Sequence, residues 1–133
     1  MLNATPEPAR PTDAELEILN VLWTRGPSTV RDVHAEINAR KPTQYTTVLK
    51  TLQIMTGKLL VKRDEDQRAH IYAAARPREW TQRQLAGDLL QRAFGGSARS
   101  LLVGALSARK ASPAELAEIR QLLDDYESQK ENQ

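Results

Sequence analysis

Residues 40–63 carry six basic side chains (Arg40, Lys41, Lys50, Lys58, Lys62, Arg63) and no acidic one, and within that stretch the hydrophobic pattern changes period. Tyr45, Val48, Leu49, Leu52 and Met55 recur at i, i+3, i+4, i+7 and i+10, the spacing that places apolar groups on one side of a helix. Thr46, Thr47, Lys50 and Thr51 fall on the other side, with Thr43 at the start. The pattern predicts a helix over 43–56. Immediately afterwards, 59–63 and 69–73 read as two strands joined by the polar run Asp64, Glu65, Asp66, Gln67, Arg68. A helix with a short polar face, run directly into a basic hairpin, leaves few small architectures open.

Two helices are predicted upstream. Thr12 and Glu15 form a Thr-x-x-Glu capping box, and Leu16, Leu19, Leu22 and Trp23 follow at helical spacing until Gly26 and Pro27. Ser28 or Thr29 then caps a second helix with Val30, Val33 and Ile37 as its apolar stripe. Pro42 stops it, because proline disfavours a helical conformation in the residue before it. Three helices and a hairpin in this order predict a winged helix-turn-helix, whose third helix lies against DNA. The fold class expected is mainly α with a small β-hairpin: a flexible arm over 1–11, the winged helix over 12–76 and a helical region over 77–133.

Charge supports that division. Residues 1–76 hold eleven Lys and Arg against nine Asp and Glu, and residues 77–133 hold eight of each. The whole chain, 133 residues with a net charge of +2, is not strongly basic, so the local clustering carries the DNA reading. No apolar run approaches the roughly 18 residues of a membrane span, and no signal peptide is visible, so a cytoplasmic protein without membrane insertion is expected. Cysteine is absent, which excludes disulfides and thiolate metal sites. His34 and His70 have no clustered partners, and no phosphate loop or nucleophile motif occurs, so neither a cofactor nor an enzyme is expected.

Short hydroxyl side chains let a helix approach base edges, and Thr also offers a methyl group to thymine. Thr46, Thr47 and Thr51 are therefore expected to read bases, and Lys50 to meet phosphate, with Thr43 at the helix start. Lys62, Arg63 and Arg68 on the hairpin are expected to meet phosphate or the minor groove, against the alternative of ordinary surface charge. Asp64, Glu65 and Asp66 oppose deep insertion of the hairpin tip. Thr29 and Arg31 offer either a phosphate anchor at a helix N-terminus or simple capping. Tyr45 is divided between the core and a phosphate contact. Ile54 falls on the polar side and is expected to pack under the hairpin. Trp23 and Tyr72 are expected in the core, and Trp80 near the junction of the two regions.

After Pro77, helices are predicted over 78–94, 98–108 and 113–129, separated by Gly95-Gly96 and started at the last by Ser112-Pro113. Leu116, Ile119, Leu123 and Tyr126 alternate spacings of three and four, a narrow heptad-like seam. Three such helices have little apolar material for a core of their own. A second copy of the chain is the simplest cover, with Leu85, Leu89, Phe94, Leu101, Leu102 and Leu106 joining the seam as dimerisation residues.

Four segments in order resemble the BlaI/MecI family of penicillinase and methicillin-resistance repressors. They are Thr12 to Leu19 with Leu22-Trp23, the run from Tyr45 to Leu52, Arg68-Ala69-His70-Ile71-Tyr72, and Ser112-Pro113-Ala114-Glu115-Leu116. The resemblance implies a homodimeric repressor on an inverted-repeat operator in double-stranded DNA, relieved in some members by a membrane-bound sensor protease. The comparable cleavage position is Ala105-Leu106, where cleaved members have Asn-Phe. Copper-responsive relatives use cysteines that this chain lacks. A winged-helix protein–protein module and a small-ligand-responsive regulator are the alternatives. The chain also departs from the family at the end of the third helix, where Gly57-Lys58-Leu59-Leu60 replaces Glu-Lys-Gly-Leu. Glycine readily adopts the left-handed conformation that closes a helix, so Thr56 is expected to be the last helical residue and Gly57 the closing one.

Overall fold

The computed structural model describes residues 10–66 and 68–131. Nearly all of the expected N-terminal arm, residues 1–9, lies outside the described residues. Six helices and three strands follow in the order α1 (Asp13–Arg25), β1 (Ser28–Thr29), α2 (Val30–Arg40), α3 (Tyr45–Gly57), β2 (Val61–Asp64), β3 (Ile71–Ala74), α4 (Arg78–Phe94), α5 (Ala98–Ala108) and α6 (Pro113–Glu131). The chain is mainly α with a small antiparallel sheet, a winged helix-turn-helix followed by helices.

The capping box expected at α1 forms, Thr29 rather than Ser28 caps α2, and α2 has a box of its own. The Thr12 side chain accepts from the Glu15 N–H while the Glu15 carboxylate accepts from the Thr12 N–H, and Thr29 and Asp32 repeat the exchange at α2. The core collects Ile18, Leu19, Leu22, Val33, Ile37, Val48, Leu52 and Met55 from the three helices, closed by Val61 and Tyr72 of the sheet. Trp23 packs on its margin with its indole N–H donating to the Arg76 carbonyl at 2.9 Å.

The hairpin strands are shorter than in the sequence reading and displaced toward the C-terminus, and the sheet has one strand more. β1 pairs with β3, so the sheet has three strands in the order β1-β3-β2. Two residues between a glycine-proline turn and a helix cap offer no alternation, which hides β1 from a period-based reading. Leu59 and Leu60, expected in the first strand, instead close α3.

That closure corrects the expectation for Gly57. The helix runs through Gly57, Lys58 caps it, and the left-handed residue is Leu59 at φ 64°. The Leu60 N–H donates to the Met55 carbonyl and the Leu59 N–H to the Thr56 carbonyl, the paired bonds of a Schellman motif. Leu60 is half-buried and packs against the core, and this contact fixes where the chain turns out of the helix. Glycine is free to close a helix, but here the position of Leu60 decides where the closure falls.

A second unrecognised feature crosses α1 and the α3 cap. Glu15 is only 3% exposed, and Lys58 Nζ reaches its two carboxylate oxygens at 3.0 and 2.9 Å. Burial pushes the Glu15 carboxyl up, but bonds from the Thr12 backbone and the Lys58 ammonium outweigh it and hold it below its ordinary value.

The chain divides into two compact units, one reaching Ala86 and the other beginning at Gly87. The sequence reading drew its boundary at 76/77. The first turns of α4 belong with the winged helix because Arg78 donates to Thr24 Oγ1 at 3.0 Å, Arg76 stacks over Trp80, and Thr81 is buried. In the second unit Phe94 packs on α5, 3.2 Å from where a Cβ on Gly104 would stand. Phe94, Leu101, Leu116 and Ile119 are half-buried there, while Leu89, Leu102, Leu106, Leu123 and Tyr126 are exposed. Leu85, at the end of the first unit, is half-buried. Val103 and Leu122 extend the exposed apolar set beyond the residues expected from the sequence.

Candidate nucleic-acid interface

The turn from α2 into α3 fixes the angle at which α3 leaves the body. Asn38 Oδ1 accepts from the Thr43 N–H at 2.9 Å, and the Thr43 hydroxyl donates to the Lys41 carbonyl at 2.7 Å. His34 Nε2 lies 2.7 Å from the Thr43 carbonyl. A carbonyl only accepts, so this bond requires a proton on Nε2. The same imidazole meets Tyr45 edge-on with ring centroids 5.7 Å apart. Thr43 is thus bound into the turn, and His34, weighed from the sequence only as a metal ligand, orients Tyr45.

The outward face of α3 consists of Thr46, Thr47, Lys50, Gln53 and Ile54, all exposed. Gln53 lies beside Thr46 in projection, on the side away from Lys50, and is absent from the sequence reading, although Gln can pair bidentately with adenine. Thr51 differs from its neighbours: it is half-buried, and its hydroxyl donates to the Thr47 carbonyl at 2.8 Å. Tyr45 is 45% exposed rather than a core residue, because it sits in the first turn beyond the reach of Val48, Leu52 and Met55. Ile54 is 46% exposed and is not among the apolar side chains packed on the core.

On one flank of α3, a concavity of about 450 Å³ brings together Thr29 and Arg31 of the α2 start, Tyr45 of α3, and Arg68 and His70 of the wing. The outermost of these positions, Thr29 and His70, are 41 apart in sequence. Four were expected at the interface, and His70 is added by the structure. The Thr29 hydroxyl is taken by the Asp32 N–H, so its capping role is realised. Bonds from the Thr29 backbone and hydroxyl, with Arg25 nearby, hold the Asp32 carboxyl below its ordinary value. Arg31 remains exposed at the rim.

The wing cations are not equivalent. Register pairs Arg63 with Tyr72 and Lys62 with Ala73, so Arg63 shares the sheet face of the buried Tyr72 while Lys62 takes the other. The Tyr72 hydroxyl and the Glu65 carboxylate hold the Arg63 guanidinium and raise its already high pKa. Among the described residues no ion pair holds Lys50, Lys62 or Arg68. Of the six cations that mark the sequence, Lys58 is turned inward to Glu15. In the other unit, Ala105 and Leu106 are exposed within α5, so a protease would reach their bond only after the end of that helix opens.

Comparison with known proteins identifies the family. Residues 11–125 match the family model described as penicillinase repressor. A protein named transcriptional regulator BlaI from Mycobacterium tuberculosis, found in two strains, is 40% identical over 93 residues, covering 68% of this chain and 67% of that protein. A penicillinase repressor from Staphylococcus aureus is 20% identical over 112 residues, covering 84% and 89% of the two chains.

Proposed function

This chain belongs to the penicillinase repressor family, a family of transcriptional repressors, and on that premise we propose that it acts as a homodimer on an inverted-repeat operator. The observation that carries the reading is the outward face of α3, where Thr46, Thr47, Lys50 and Gln53 stand exposed together. Thr46, Thr47 and Gln53 supply hydrogen-bonding groups for base edges in the major groove, and Lys50 supplies a cation for phosphate. Thr51 and Thr43 act indirectly, by holding the helix and its entry turn. The groove lined by Arg31, Tyr45 and Arg68 takes an adjoining stretch of backbone, and Lys62 a further phosphate. Arg63 contributes only by exchanging its internal partners for phosphate.

The homodimer is supported by the second unit's exposed apolar side chains, Leu102, Val103, Leu106, Leu122, Leu123 and Tyr126. Six large apolar side chains left in water on two neighbouring helices of the chain are covered by association at a gain in free energy. Two recognition helices on half-sites one turn apart would lie about 34 Å from each other.

A mobility-shift assay on the region upstream of the chain's own gene tests the reading. A shift that survives excess non-specific duplex supports it. A complete absence of sequence-selective binding would transfer the winged helix to a protein-binding role.

A further inference from the structure

We infer that Ile54 is a base-reading residue, touching the C5-methyl group of a thymine in each half-site. The inference rests on the DNA-binding reading above and concerns the same face of α3. Thr47, Lys50 and Ile54 stand at i, i+3 and i+7 and form one outward row. At 1.5 Å per residue that row is about 10.5 Å long, about three base-pair steps at 3.4 Å each. Thr46 and Gln53 flank it, so Ile54 is the one large apolar group on a face otherwise made of hydroxyls, an amide and an ammonium.

Its exposure decides what it can do. At 46% exposed and outside the core packing, it contributes little to holding α3 in place. A β-branched side chain is also a weaker helix former than the straight-chain residues available for a solvated position. In a major groove the balance reverses. The thymine methyl is the one apolar feature on the base edges, and an aliphatic side chain is its natural complement. Gln53, one position away on the same face, is suited to adenine N6 and N7. The pair therefore favours an A·T-containing step under the third turn of the helix.

The test isolates the methyl group. Sites are selected by the full-length wild-type protein from a random duplex library, and each thymine in the selected site is then replaced singly by uracil, which lacks only that methyl. One position per half-site is expected to lose about fourfold in affinity, the transfer of roughly one buried methyl group. The Ile54→Ala protein should bind the thymine and uracil forms of that position equally, and Ile54→Val should keep part of the difference. A thermal midpoint for Ile54→Ala no lower than wild type separates lost readout from lost fold. If sites are selected but no thymine is sensitive, or the sensitivity persists in Ile54→Ala, the role of Ile54 is overturned and DNA reading stands. If no sequence is selected at all, both fall.

Discussion

Exchanging the conformational demands of Gly57 and Leu59 tests the cap of α3 by the sign of the effect. Leu59 holds φ 64°, a region in which an L-residue with a side chain costs about 1–2 kcal/mol relative to its preferred conformations. Its side chain is 77% exposed, so truncation to glycine gives up about a quarter of a leucine's burial, about 0.5 kcal/mol. Leu59→Gly should therefore stabilise the protein by about 1 kcal/mol. Gly57 is helical, and a Cβ built there meets nothing within 4 Å, so Gly57→Ala should add about 0.5–1 kcal/mol. Urea denaturation at fixed protein concentration measures both, with the double variant close to their sum. Thermal midpoints should rise by about 4–8 °C per kcal/mol for a unit of this size. The alternative closure, with Gly57 left-handed, predicts the reverse: Gly57→Ala would destabilise and Leu59→Gly would gain nothing. That outcome would refute the cap described here and the position of Leu60 that depends on it.

Glu15 lends stability that is present above its unfolded pKa and lost as pH falls through its lowered folded value, so the loss begins below about pH 4.5. Glu15→Gln should remove that part of the acid transition, and Lys58→Met should cost about 1–2 kcal/mol at neutral pH, discounted from the fully buried case for the partial exposure of Lys58. On any duplex the protein selects, Arg68→Ala should weaken binding more than Arg63→Ala, since Arg63 already has internal partners; equal losses in titration would contradict the placement of Arg63. Leu123→Glu should shift the chain toward monomer in sedimentation and weaken operator binding in parallel. An unchanged sedimentation coefficient would remove α6 from the interface.

The sequence made the helices legible because their caps are local. Thr12 with Glu15 carries its signal within four residues and forms the box expected, whereas at α2 the sequence left Ser28 and Thr29 open and the exchange with Asp32 shows Thr29 to be the cap. Period places Thr46, Thr47 and Lys50 of the outward face of α3, but not Gln53. What period cannot show is which hydroxyl turns back on the backbone, and so Thr51 was grouped with Thr47. β1 was hidden because two residues carry no alternation, and its pairing with β3 is settled by where α2 begins. Lys58 belonged to the basic cluster by sequence but to Glu15 by space, forty-three positions away. Tyr45 fits the apolar stripe by number, yet the first turn of α3 extends past the core, and His34 holds it at the rim.

The response to salt reports most directly on whether α3 lies against a polyanion. On one selected duplex, the slope of log affinity against log salt should be shallower for Lys50→Ala than for wild type by about 0.9 per lost phosphate contact, about 1.8 for a dimer with two such helices. Equal slopes, together with an unchanged site preference for Thr47→Val, would place the outward face of α3 away from DNA.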